Sequence, residues 1–161
     1  MKQMLKKTIL MLAVTLAAGL LFVNIYTSVV DAPNWGRDIP TSLMAAREYF
    51  QVANPGTFFR VFSPANQLIT LAALIICWRA GKQLRVLCGL ALVCAIVAEV
   101  MTFAFFYPRN ELLFVAPIGA NLDIVRSAWS QWSNVNWIRS ALIGLNLIFD
   151  FAALMKVKKV G

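Results

Sequence analysis

The sequence predicts an all-α, polytopic membrane protein: one domain over residues 1–161, folded as a four-helix bundle, with an interfacial amphipathic helix in the first outer loop. Three observations lead there. Of 161 residues, 60% are apolar and only 14% charged, and mean hydropathy is +0.72, far outside the soluble globular range. The apolar residues gather into four runs of about 20, the length that crosses ~30 Å of hydrocarbon at ~1.5 Å per residue. A soluble domain of this size could not bury four such runs in one core, which excludes a water-soluble enzyme. Finally, the net charge of +8 comes from basic residues at the edges of the runs. They form no contiguous patch, so nucleic acid is not an expected partner.

The first span, residues 8–30, carries no charge. A signal peptide is its rival, because Lys2, Lys6 and Lys7 precede it and Val30-Asp31-Ala32 resembles a cleavage site. The run is too long for that reading, and Pro33 should resist the peptidase. In the loop that follows, Ile39, Leu43, Ala46, Phe50 and Ala53 recur at helical spacing opposite Thr41, Ser42, Arg47, Glu48 and Gln51, which predicts the interfacial helix. Asn54-Pro55-Gly56 should end it. The second span covers residues 61–78, with Ser63 as N-cap and Pro64 at the first helical position, so that the helix proper begins near Pro64. The third span, residues 86–107, is interrupted only by Glu99 and should end at Pro108. Asn121 is placed to cap a helix through Asp123, Arg126, Trp129 and Trp132 that continues into the fourth span, residues 138–155.

Lys and Arg asymmetry sets the expected orientation. Lys2, Lys6, Lys7, Arg79, Lys82, Arg85, Lys156, Lys158 and Lys159 fall on one side with no acid among them. Arg37, Arg47, Arg60, Arg109, Arg126 and Arg139 are spread over the other side with Asp31, Asp38, Glu48, Glu111 and Asp123. Both termini should therefore be cytoplasmic, in a bacterial-type inner membrane. Contact with anionic lipid is the sharper reading of the same basic residues. Trp35, Trp129, Trp132 and Trp137 fall on the outer side and read as a belt of interfacial anchors.

Polar residues inside a span normally face the bundle interior. Asn24, Thr27, Ser28 and Asp31 share a face of the first helix, Ser63, Asn66, Gln67 and Thr70 a face of the second, and Glu99 and Thr102 a face of the third. On the fourth, Asn136, Arg139, Ile143, Asn146 and Asp150 lie within about 80° of one another at 100° per residue. Four stripes in the outer halves predict a polar pocket open outward above a drier inner half. Interhelical hydrogen bonding is the structural alternative for the asparagines and the glutamine. A carboxylate at the depth of Glu99 costs at least ~2.5 kcal/mol to insert, so it should be neutral or paired with Arg139 or another donor, and it is the candidate proton acceptor. Asp150, near the inner end, is expected to pair with Arg79 or Arg85.

The chain has no histidine and three cysteines without C-x-x-C spacing. Metal, haem and nucleotide motifs are absent, and Cys77, Cys88 and Cys94 read as small core residues. No cofactor and no metal site are expected.

Tyr107-Pro108-Arg109-Asn110-Glu111-Leu112 after the third span resembles the proline/asparagine/leucine patch of the anthrone-oxygenase-like family of bacteria and fungi. Trp132-Ser-Asn-Val-Asn136-Trp-Ile-Arg139 is similar to that family's tryptophan, histidine, arginine pattern, with Asn136 where the family has histidine. The resemblance in layout covers nearly the whole chain. It implies a cofactor-independent, monooxygenase-like oxidoreductase acting on a polycyclic phenol. Glu99 would be the base, Arg139 would stabilise the enolate, and Asn110, Asn136 and Trp132 would touch the substrate, with Asn24, Asn66, Gln67 and Asn146 completing the polar pocket. The alternative is a non-catalytic membrane protein that binds a lipophile or lipid or supports a partner complex. Expected partners are the lipid bilayer, a hydrophobic small molecule and, as an open alternative, further copies of the chain.

Overall fold

A computed structural model describes residues 2–119 and 121–157. Lys158 and Lys159, counted above among the orientation signals, lie outside the described residues, as does the side chain of Lys2. Within the described residues there is no strand, and five helices account for the fold: α1 (Gln3–Gly36), α2 (Thr41–Tyr49), α3 (Pro55–Cys77), α4 (Lys82–Val115) and α5 (Leu122–Lys156). All but α2 are long and apolar enough to cross a membrane. They close a ring in which α1 and α4 each pack against both α3 and α5. Gly81 turns the chain from α3 into α4 at φ +132°, a conformation that L side chains rarely adopt.

Three helices outrun the spans expected of them, each for a local reason. α1 and α4 pass through prolines, Pro33 and Pro108, of which Pro108 is expected to end its span, because each first widens by one residue into a π turn. Thr27–Asp31 forms one such turn and Thr102–Phe106 the other. The carbonyls of Thr27 and Thr102 accept from the N–H groups five residues on, at Ala32 and Tyr107. Pro33 and Pro108 come immediately afterwards, where the shifted register no longer needs the N–H that proline lacks. α3 starts nine residues before Pro64, not at it. Asn54 and Thr57 close a capping box, with Asn54 Oδ1 accepting from the Thr57 N–H at 3.2 Å and Thr57 Oγ1 from the Asn54 N–H at 3.3 Å. Pro55 then takes the favoured first position, and Pro64 lies inside the helix. α5 starts where expected, with Asn121 Oδ1 accepting from the Ile124 N–H.

At 35 residues α5 is ~52 Å long, so roughly 20 Å of it stands beyond a ~30 Å hydrocarbon layer. α1 and α4, each of 34 residues, extend in the same way. Their projecting ends, with α2, enclose an apolar cap of Trp35, Ile39, Leu43, Phe106, Leu113, Val125, Ala128 and Trp132. This corrects two expectations. The tryptophans form no belt: Trp35 and Trp132 are 4% and 5% exposed, Trp129 is half-buried, and only Trp137, at 49%, stays outside. Nor does the apolar face of α2 point outward: Ile39 and Leu43 are buried in the cap, with Ala46 and Phe50 packed against it. A second apolar core, with Leu10, Ala73, Cys77, Leu84, Cys88 and Ala153, closes the opposite end.

The cap is tied to α1 where Trp129 Nε1 donates to the Ala32 carbonyl at 2.8 Å. That approach depends on Gly36, whose missing Cβ would stand 2.0 Å from the Trp129 ring. Gly36→Ala should displace the indole and cost about 1–3 kcal/mol. Gly19→Ala, where nothing lies within 4 Å, should be neutral or stabilising. Thermal unfolding of the two variants side by side in detergent checks this.

Candidate functional site

The α5 stripe is buried as expected: Asn136, Arg139, Ile143, Asn146 and Asp150 all face inward. Its upper half holds a guanidinium. Arg139 is 6% exposed. Its Nε donates to Asn24 Oδ1 at 3.0 Å, and its Nη2 donates to the same oxygen. The Phe59 and Phe106 ring centres lie 4.7 and 4.4 Å from the guanidinium carbon, contacts that return part of the lost hydration through the ring quadrupoles. Asn24 is fixed in turn, its Nδ2 donating to Ser140 Oγ at 2.6 Å and to the Asn136 carbonyl at 3.2 Å. Asn136 Nδ2 donates to Ser28 Oγ at 2.7 Å.

Beside this frame lies a cavity of about 520 Å³, bordered by Trp35, Phe50, Phe59, Phe114 and Trp132 and by the polar groups of Glu99, Arg139, Thr27, Thr102 and Asn110. Thr27 and Thr102 open these two π turns, and a third π turn, Glu111–Val115, contributes Glu111, Phe114 and Val115, so all three deformed turns border the cavity. Glu99 is half-buried on α4, and no hydrogen bond or ion pair reaches it among the described residues. Of the alternatives expected for Glu99, neutral or paired with Arg139 or another donor, the pairing with Arg139 is not made; Asn24 takes Arg139 Nε and Nη2. Asn110 Oδ1 accepts from Trp132 Nε1 at 2.9 Å, which fixes both on the cavity wall.

The residues proposed from sequence separate into three groups. Glu99, Arg139, Asn110 and Trp132 border the main cavity. Asn66, Gln67 and Asn146 border a smaller one of about 20 Å³, which Glu99 and Arg139 share with the first. Asn24 and Asn136, expected to touch a ligand, border neither; they are fully buried and serve as the frame that aims Arg139. Asp150 is 0% exposed and accepts from Asn146 Nδ2 at 2.9 Å. It pairs with neither Arg79 nor Arg85, the latter lying over the Trp78 ring. The inner half is apolar around Leu10, Ala73, Cys77, Leu84, Cys88 and Ala153, with Asp150 its exception as expected. Because α3 begins early, Asn66 and Thr70 lie deeper than their distance from Pro64 suggests, and the polar column runs down to Asp150. Cys77 and Cys88 are buried in the apolar core below it and Cys94 is half-buried, as small core residues.

Arg47 is a cavity residue that the sequence reading set on the wrong face. Its Nε, Nη1 and Nη2 donate to the carbonyls of Leu113 (2.8 Å), Ala116 (2.9 Å) and Leu112 (3.2 Å), capping the end of α4 and holding α2 over the cavity. Partial burial draws its guanidinium below the ordinary arginine range. The signal was available, since Arg47 falls four residues after Leu43 and three before Phe50, on the same helical face. Phe59 was not singled out as a cavity residue either, whereas Thr27 and Thr102 border the cavity as their place on the polar stripes predicts.

Comparison of the chain with family models, with curated proteins and with solved structures returned no match.

Two outcomes follow. Asn24→Ala should strand two donors of a buried guanidinium and lower stability by about 2–3 kcal/mol, read by thermal unfolding in detergent. Arg47→Ala should leave the bundle's melting temperature nearly unchanged while hydrogen exchange rises selectively over residues 41–54.

Proposed function

We propose that the chain is a multi-pass membrane protein that admits a hydrophobic phenolic or polycyclic small molecule to the main cavity and oxygenates it without a cofactor. The observation that carries this reading is the pair at the cavity floor: an unpartnered Glu99 carboxylate beside an Arg139 guanidinium held rigid by other groups, under aromatic walls. A carboxylate left without a partner beside bound substrate is a proton acceptor, and a preorganised cation is a stabiliser of developing oxyanion charge. No hydrogen bond uses Arg139 Nη1 among the described residues. That leaves a donor for the substrate oxygen. The resemblance carried by residues 107–112 and 132–139 supports the same chemistry.

In this mechanism Glu99 takes a proton from a ring methylene acidified by a carbonyl conjugated with it across the fused rings, and the charge moves to the carbonyl oxygen at Arg139. Dioxygen adds to the carbanion carbon, forming a C–O bond. The resulting peroxide loses water as the second methylene proton departs and the O–O bond breaks. The methylene becomes a carbonyl, with one oxygen atom of dioxygen in product and the other in water. Asn110 and Trp132 orient the ring system. The proposal places the cavity on the outer face of a bacterial inner membrane, with both termini cytoplasmic, on the strength of the basic residues at the opposite end.

The test is oxygen uptake by the purified chain in lipid nanodiscs supplied with a tricyclic anthrone-type phenol. Glu99→Gln should lower turnover by about 10²–10⁴-fold while substrate still quenches tryptophan fluorescence with unchanged affinity. Saturable quenching by wild type without oxygen uptake would instead establish the non-catalytic lipophile-binding reading.

A further inference from the structure

Below the candidate site, Asn66 and Thr70 on α3 face Asn146 and Asp150 on α5, each pair spaced four residues apart so that both members share one helical face. The two helices are not ring neighbours, so this contact crosses the middle of the bundle. Asn66 Nδ2 donates to Asn146 Oδ1 at 2.9 Å, and Asn146 Nδ2 donates to Asp150 Oδ2 at 2.9 Å. What is left over is a set of oxygens. Asp150 Oδ1, Thr70 Oγ1 and Asn66 Oδ1 are each buried without a hydrogen-bond partner. The Thr70 hydroxyl faces the Asp150 carboxylate without closing a hydrogen bond to it. Buried polar atoms in native proteins rarely go unpaired, and three in one cluster point to something held between them.

Charge points the same way. The polar layer between the two apolar cores holds two carboxylates, Glu99 and Asp150, and one guanidinium, Arg139. Arg139 sits eleven residues from Asp150 along α5, ~16 Å away, and no ion pair reaches Asp150 among the described residues. An uncompensated carboxylate is among the costliest groups to place in a membrane interior.

We infer that Asp150, Thr70 and Asn66 form a binding site for a monovalent cation of sodium size, with Asn146 orienting the carboxylate. The donors are all hard oxygens, which suit a hard cation. One carboxylate balances one positive charge, and the other two donors are neutral. The small cavity that borders Asn66 and Asn146 has room for about one water, which adds a ligand. That cavity shares Phe59, Ser63, Glu99, Thr102 and Arg139 with the main one and borders neither Thr70 nor Asp150, so it meets the site at Asn66 and Asn146 alone. This inference does not rest on the oxygenase reading, and it holds or fails whatever the main cavity binds.

The test is the melting temperature of the full chain in detergent, titrated with NaCl against KCl and choline chloride at constant ionic strength. The site requires a saturable rise with sodium, about 8 °C at a hundredfold excess over Kd, with a smaller rise in potassium and none in choline. Asp150→Asn should abolish the sodium response. If that variant does not fold, Thr70→Val decides, and its half-saturating sodium concentration should rise at least tenfold. Identical curves in all three salts, a larger response to potassium than to sodium, or an unchanged sodium titration in Thr70→Val would each overturn the assignment.

Discussion

A guanidinium held inside a helical membrane bundle constrains everything around it. Arg139 cannot be left in a low-dielectric layer without donors satisfied and charge dispersed, and the surrounding residues meet that demand with a neutral amide oxygen and two aromatic faces. The choice of partner matters. Had Glu99 supplied the acceptor, the two charges would have neutralised one another and the cavity floor would be inert. Because Asn24 takes that place, fixed by Ser140 and the Asn136 backbone, Glu99 remains free and the cation remains rigid. Asn24 of α1 thus works on the cavity at one remove, through Arg139.

The cavity itself follows from helix length. Spans that stopped at the membrane boundary would have left Glu99 and Arg139 under an open mouth. α1, α4 and α5 continue past it, their ends converge on an apolar cap, and α2 is held over the gap by Arg47. Two of those extensions rely on π turns that let a helix pass a proline, and both turns begin at a threonine on the cavity border. The same deformation therefore lengthens the wall and shapes it, in keeping with the frequent occurrence of π turns at functional sites.

Much of this was legible in the sequence because lipid imposes simple rules. Four apolar runs gave four crossing helices, and the α5 stripe from Asn136 to Asp150 gave its buried face by periodicity alone. The helix ends were misread where a single residue carried two meanings. Pro33 and Pro108 are breakers by propensity but are absorbed by a widened turn, a choice set by tertiary packing. Asn54-Pro55-Gly56 reads as a turn and is equally a helix start, and the capping partner Thr57 was the deciding signal. Tryptophans beyond a span read as anchors when the span is assumed to end there; once the helices extend, the same rings become core. Partner choice was least visible. Periodicity places Asn24, Glu99 and Arg139 toward one interior, but which oxygen takes the guanidinium depends on side-chain reach across helices.

The most direct test of this account is a structure of the chain in lipid nanodiscs at a resolution that shows side chains, with co-purified molecules identified by mass spectrometry. The account predicts a small aromatic molecule in the main cavity, its oxygen within hydrogen-bond distance of Arg139, with Asn24 still holding the guanidinium and Glu99 turned to the ligand. A closed bundle without that cavity, in which Glu99 and Arg139 form an ion pair, would contradict it.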